Sequence, residues 1–190
     1  LKCDFCQNYQ ISHEQEGRPF SLEELAQKLL GLQEKGCHNV NLVTATHFLP
    51  WVLRALRQAS DSGLELPVVY NCGGYELEET IDLLRDVVDI WLPDMKYGRN
   101  APARLYSKAA DYVEVNRAAV RRMFRQVGPL RCGDDGIAHR GLCIRHLVLP
   151  NGQSASREVL AFLTKTFAPQ DISISLMAQY RPLYGADRHA

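Results

Sequence analysis

The chain has 190 residues, 46% of them hydrophobic, with 22 basic and 22 acidic side chains and a formal net charge of zero. That length suits one domain with a full apolar core, and the balanced charge carries no electrostatic footprint for a nucleic acid. No apolar run approaches the roughly 18 residues that cross a bilayer, no signal peptide is visible, and six scattered cysteines do not make a disulfide scaffold. A cytoplasmic protein with free thiols is therefore expected.

Leu1-Lys2-Cys3-Asp4-Phe5-Cys6 opens the chain with a C-x-x-C pair. Three chemistries use such a pair: an iron–sulfur cluster loop, a zinc half-site and a thioredoxin-type redox pair. The polar run from Gln7 to Pro19 reads as a loop, whereas a redox pair starts a helix. Zinc would want a second close pair, and Cys37, Cys72, Cys132 and Cys143 stand singly, with Cys37, Cys132 and Cys143 expected to be buried packing residues. Starting inside a motif on Leu, and ending without a clear terminal element, the sequence reads as a fragment of a single core domain, residues 1–190.

Ser21 with Glu24 forms a capping box before an apolar face of Leu22, Leu25, Ala26, Leu29 and Leu32, which predicts a helix up to Gly36. Residues 39–44 (NVNLVT) predict a strand, and Pro50 starts a helix with Val52, Leu53, Leu56 and Ala59 inward, stopped by Gly63. Residues 67–71 (PVVYN) predict a strand. A helix over 76–84 carries Leu77, Ile81 and Leu84, and a third strand covers 87–92 (VVDIWL). A longer helix over 112–127 places Val120, Met123, Phe124 and Val127 on one face. Residues 131–140 form a turn-rich connector or small hairpin before a strand over 142–149 (LCIRHLVL). Ser154 or Ser156 caps a helix bearing Val159, Leu160, Leu163 and Phe167, and residues 172–177 (ISISLM) close the series. Strands alternating with helices predict an α/β fold with a parallel sheet, doubly wound or curled into a barrel.

In such folds ligands sit at the carboxyl ends of the strands. Those ends are polar each time: Thr44-Ala45-Thr46-His47, Asn71-Cys72-Gly73-Gly74, Asp94-Met95-Lys96, Pro150-Asn151-Gly152 and Gln179-Tyr180-Arg181. Hydroxyls, amides, one carboxylate and one ammonium suit a small zwitterionic ligand with a ribose, and no phosphate loop follows any strand. Each residue alone has a plainer reading. Asp94 and Lys96 make an exposed pair of little energetic worth, His47 caps a helix, and Gly73-Gly74 is a turn that needs positive φ.

With that loop and those rims the chain resembles the radical S-adenosylmethionine enzymes, in particular relatives of pyruvate formate-lyase activating enzyme. Their motif is C-x-x-x-C-x-x-C with an aromatic residue before the last Cys, and Cys3-Asp4-Phe5-Cys6 matches its second half, which places the first cysteine just before Leu1. The resemblance continues through CQNYQIS, HNVNLVTATHF, LPDMKY, RHLVLP and QYRP. It implies a partial parallel (β/α) barrel, truncated at its N-terminus. It also implies a [4Fe–4S] cluster that reductively cleaves S-adenosyl-L-methionine to a 5′-deoxyadenosyl radical.

By the same resemblance Cys3 and Cys6 are cluster ligands and Phe5 contacts the adenine. Thr44, Thr46 and His47 replace the Gly-Gly-Glu that commonly binds the cofactor's amino group, and Asn71 stands near the ribose. Lys96 meets the methionine carboxylate, Asp94 makes a polar or cation contact, Arg145 faces the barrel interior in preference to His146, and Gln179 and Tyr180 close the site. Implied partners are a glycyl radical enzyme or another substrate, and reduced flavodoxin or ferredoxin as electron donor, with neither nucleic acid nor membrane. Two other readings stand beside it: a zinc-stabilised α/β binding protein with a structural C-x-x-C site, and an ordinary α/β barrel enzyme whose cysteines are incidental.

Overall fold

The computed structural model describes residues 1–189. Its first long helix, α2 (Leu22–Glu34), follows a one-turn helix α1 (Tyr9–Ser12) and starts on the capping box: Glu24 N donates to Ser21 Oγ at 3.1 Å and Ser21 N to Glu24 Oε2 at 2.9 Å. Such a cap is worth about 1 kcal/mol. Ala26 and Leu29 turn inward from α2, and α3 (Leu49–Asp61), with Pro50 in its first turn, buries Val52, Ala55, Leu56 and Ala59 beside them.

Five strands run parallel in the order β1 (Val40–Val43), β2 (Val68–Cys72), β3 (Ile90–Pro93), β5 (Ala138–Leu147) and β6 (Ser173–Met177). The register sets Leu42 beside Tyr70, Tyr70 beside Trp91, and Ile90 beside Gly141. Val68, Val69, Tyr70 and Cys72 are all buried, as a parallel strand covered on both faces requires. The two-residue β4 (Arg131–Cys132) pairs antiparallel with the start of β5, so the turn-rich connector is a hairpin. The architecture is α/β, a parallel sheet of the partial (β/α)-barrel type. Trp91, Tyr70, Leu142 and Ile144 fill its core with Val120 and Met123 of α6 (Tyr112–Val127) and Val159 and Leu163 of α7 (Ser156–Thr166).

Several local expectations need correction. α4 spans only Glu78–Leu83 and Leu77 points to solvent, because its turn lies ahead of the helix that carries Ile81 inward. Neither Ser154 nor Ser156 caps α7: Ser154 Oγ takes the N–H of Leu149, and Ser156 Oγ bonds His146 Nε2 at 2.8 Å. No side chain caps α3, so His47 has no such role. Cys132 is exposed on the hairpin, and Cys37 and Cys143 are only partly covered. The sequence reading lacks α5 (Asn100–Ser107), eight residues with Pro102 in the first turn. Its one-residue apolar anchor, Ala103, gives no periodicity to find, although proline is tolerated there.

Candidate active site

Parallel pairing brings the carboxyl ends of β2, β3 and β5 to one rim. Asn71 leaves β2, Asp94 and Lys96 follow β3, and Arg145 lies on β5, joined to Asp94 by a parallel bridge. Their side chains form one network. Arg145 Nη1 donates to Asn71 Oδ1 at 2.7 Å, Arg145 Nε stands 3.5 Å from Asp94 Oδ1, and Lys96 Nζ donates to Asp94 Oδ2. Asp94 Oδ1 is buried and, among the described residues, accepts no hydrogen bond, leaving one carboxylate lone-pair face to a further donor beside Arg145 Nε. Burial works against the Lys96 charge, but Asp94 and then the Cys3 sulfur outweigh it and hold the ammonium above its ordinary pKa. His146, next along β5, faces the other way: it is fully buried, with Nδ1 against the Met95 carbonyl at 2.5 Å.

The backbone beneath that network is clamped by α6. Tyr112 Oη accepts the Lys96 N–H at 2.9 Å and lies 3.0 Å from the Gly73 carbonyl and 3.1 Å from that of Asp94. Asn116 Nδ2 donates to the carbonyls of Gly74 and Asp94, each at 2.9 Å. These contacts need Gly74. Its φ is +68°, and a Cβ there would stand 2.1 Å from the Asp94 carbonyl oxygen.

The cysteine loop is bracketed by the end of α5. Lys2 N donates to the Ser107 carbonyl at 3.3 Å, Asp4 N to that of Tyr106 at 2.8 Å, and Lys108 Nζ to Asp4 Oδ2 at 3.1 Å. Within the loop Cys6 N donates to the Cys3 carbonyl, turning the chain tightly between the two thiols. Cys3 is buried, its sulfur accepting from Ser107 Oγ at 3.0 Å, while the half-buried Cys6 lies 3.2 Å from Ser12 Oγ.

Glu76 is the site residue that the sequence reading placed in a helix and gave no chemistry. It is 7% exposed, ahead of α4, and Thr46 Oγ1 lies 3.0 Å from both its carboxylate oxygens and 2.9 Å from Tyr70 Oη. Burial pushes its carboxyl above the usual range, against the pull of Thr46. A carboxylate two residues past Gly73-Gly74 was the available signal. Thr44 and His47 are exposed, Thr44 with φ +49° and the His47 ring tilted against Phe48 at 4.4 Å between centroids, and among the described residues neither joins Glu76 or Asp94. Gln179 is also exposed and apart from the network, because the chain beyond β6 runs over the surface. Tyr180 sits 6.0 Å from Phe5, ring to ring, and both line a cavity of about 230 Å³ with Tyr106, Leu149 and Asn151.

These features fit the groups that the resemblance implies. Cys3 and Cys6 offer two soft thiolates on one turn, as an iron–sulfur cluster needs. Lys96 offers a cation to a carboxylate, Asp94 Oδ1 and Glu76 offer acceptors to an ammonium, and the Phe5–Tyr180 cavity offers aromatic surface to a base. Among the described residues no three His, Cys, Asp or Glu side chains gather to hold a metal ion.

Comparison with known proteins agrees with the fold. The chain is 30% identical, over its whole length, to the uncharacterized protein MJ0674 of Methanocaldococcus jannaschii, covering 53% of that protein. Its fold is similar to the crystal structure of methylornithine synthase (PylB), with a TM-score of 0.57 at 17% identity over 97% of this chain and 52% of that one. The chain thus spans about half the length of the relatives it matches. Among the described residues no helix is long and apolar enough to cross a membrane. The family model described as the radical SAM superfamily matches residues 1–126, so the chain belongs to that superfamily, whose members cleave S-adenosylmethionine with an iron–sulfur cluster.

Proposed function

We propose that this chain is the S-adenosylmethionine-cleaving core of a radical enzyme, with Cys3 and Cys6 as two of the thiolates that hold a [4Fe–4S] cluster and a third supplied from upstream of Leu1. The observation that carries this is the Asn71–Asp94–Lys96–Arg145 network at the carboxyl rim of β2, β3 and β5. Held by Cys3 and Cys6, the cluster would supply the one electron needed for reductive cleavage of S-adenosylmethionine.

The chain's own residues bind and orient. Lys96 holds the methionine carboxylate by exchanging part of its bond to Asp94 for one to the ligand. Glu76, braced by Thr46, and the open Oδ1 of Asp94 receive the amino group. Asn71, held by Arg145, reaches the ribose, and Phe5 and Tyr180 flank the adenine. Thr44, His47 and Gln179 border the mouth. The physiological role resembles that of the activating enzymes: the radical is passed to a glycyl radical enzyme or to another substrate, in a reducing cytoplasm, with flavodoxin or ferredoxin as reductant.

The test is anaerobic preparation of the full-length protein, iron and sulfide analysis, and chromatography of the products after reduction with S-adenosylmethionine. About four irons per chain and 5′-deoxyadenosine are expected, with neither cluster nor product in Cys6→Ala. Product formation by Cys6→Ala at the parent rate, or zinc in place of iron, sinks the proposal.

A further inference from the structure

A buried line of hydroxyls ends on the Cys3 sulfur. Tyr97 follows Lys96 directly after β3 and is 1% exposed, and Ser107, also 1% exposed, is the last residue of α5. Tyr97 Oη and Ser107 Oγ are 2.6 Å apart, and Ser107 Oγ donates to Cys3 Sγ at 3.0 Å. A serine hydroxyl has one proton. With that proton on Cys3, the Tyr97 hydroxyl must donate to Ser107. Burial first of all, with the Cys3 sulfur and Asp4 adding to it against the pull of Ser107, raises the Tyr97 pKa well above ordinary, so Tyr97 stays a donor. The geometry is over-determined. Lys2 N and Asp4 N hold the loop to the carbonyls of Ser107 and Tyr106, and the Tyr97 ring packs edge-on against Tyr112 at 5.3 Å.

We infer that Ser107, backed by Tyr97, is a positioning residue that sets the reduction potential of the cluster through a hydrogen bond to its Cys3 ligand. This rests on the proposed role of Cys3. One electron from the external reductant enters the cluster, and the added negative charge is shared by the sulfur ligands. A donor on one of those sulfurs therefore stabilises the reduced form more than the oxidised form and raises the potential. Tyr97 acts only through Ser107, polarising its hydroxyl, so its effect has the same sign and a smaller size.

Potentiometric titration of the full-length, cluster-loaded protein, followed by electron paramagnetic resonance without S-adenosylmethionine, reads this directly. At the midpoint of the parent, Ser107→Ala should have a reduced-to-oxidised ratio about tenfold lower, a downward shift of about 59 mV. Tyr97→Phe should shift the same way by less, Ser107→Thr should restore most of the parent value, and Ser107→Ala with Tyr97→Phe should match Ser107→Ala alone. An unshifted potential in Ser107→Ala at full iron content overturns the inference. So does an equal Tyr97→Phe shift in the presence and absence of the Ser107 hydroxyl, which would make Tyr97 independent of it. If Ser107→Ala fails to load its cluster, Tyr97→Phe decides, and an unshifted potential there overturns the inference too. A parent protein that holds no iron fails the cluster reading itself, which separates the two.

Discussion

Gly74 joins the fold to the site, and replacing it tests that joint. Gly36 serves as its control. Both residues are left-handed, at φ +68° and +71°, but nothing lies within 4 Å of a Cβ built on Gly36, at the end of α2. Gly36→Ala therefore carries only the conformational cost of a side chain in that region, about 1–2 kcal/mol. At Gly74 the same cost applies, and the added Cβ would also lie 2.1 Å from the Asp94 carbonyl oxygen and 2.4 Å from Asn116 Nδ2. The Asn116 amide must then leave, and with it two buried hydrogen bonds of 2.9 Å. At about 0.5–1.5 kcal/mol each, they bring the expected loss for Gly74→Ala to about 2–5 kcal/mol. Urea unfolding of both variants without cluster, with the midpoint shift read at constant m, measures the difference. S-Adenosylmethionine titration of the reduced protein should then show weaker binding in Gly74→Ala alone, since Asp94 moves with its carbonyl. Equal destabilisation of the two variants, with unchanged cofactor affinity in both, would refute the reasoning.

Lys96→Ala removes a charge-assisted contact of about 1.5–3 kcal/mol, so cofactor titration should show binding about ten- to a hundredfold weaker while iron content stays at the parent level. Unchanged affinity would take Lys96 out of the site. Glu76 is raised by burial, so its contribution to stability is fully present below the ordinary glutamate value of 4.5 and is lost as pH rises through the folded value. Thermal unfolding of Glu76→Gln against the parent should accordingly show no gain near pH 4 and a growing gain toward pH 8, together with weaker cofactor binding. A stability difference that does not change with pH would mean that Glu76 is not strained by burial.

Where a segment is long and strongly patterned, local physics was enough. The Ser21–Glu24 box, the proline at the start of α3 and the apolar face of α6 could be read as sequence because each satisfies its own backbone or builds its own stripe within a few turns. The β-rich runs overlapped the strands for the same reason, although β3 begins only at Ile90 and β5 reaches back to Ala138. Asn71, Asp94 and Lys96 were legible as candidates because a strand end leading into a loop is where an α/β sheet exposes polar groups, whereas Arg145, inside β5, was chosen over His146 only by the family resemblance.

Three things depended on contacts between distant residues. Arg145 meets Asn71 across 74 positions, and only parallel pairing of β2, β3 and β5 decides that they touch. Glu76 looked like the acidic start of a surface helix until the fold buried it under Thr46. Segment 99–108 gave no periodic signal at all, yet α5 and its end hold the cysteine loop through Ser107 and Lys108, each 104 positions from its partner. The sequence by itself determined which elements form and which chemistry is available, because propensity, capping and residue type act over a few residues. Tertiary structure alone decided which of those groups are buried, paired and charged together, because desolvation and Coulombic coupling depend on distance in space.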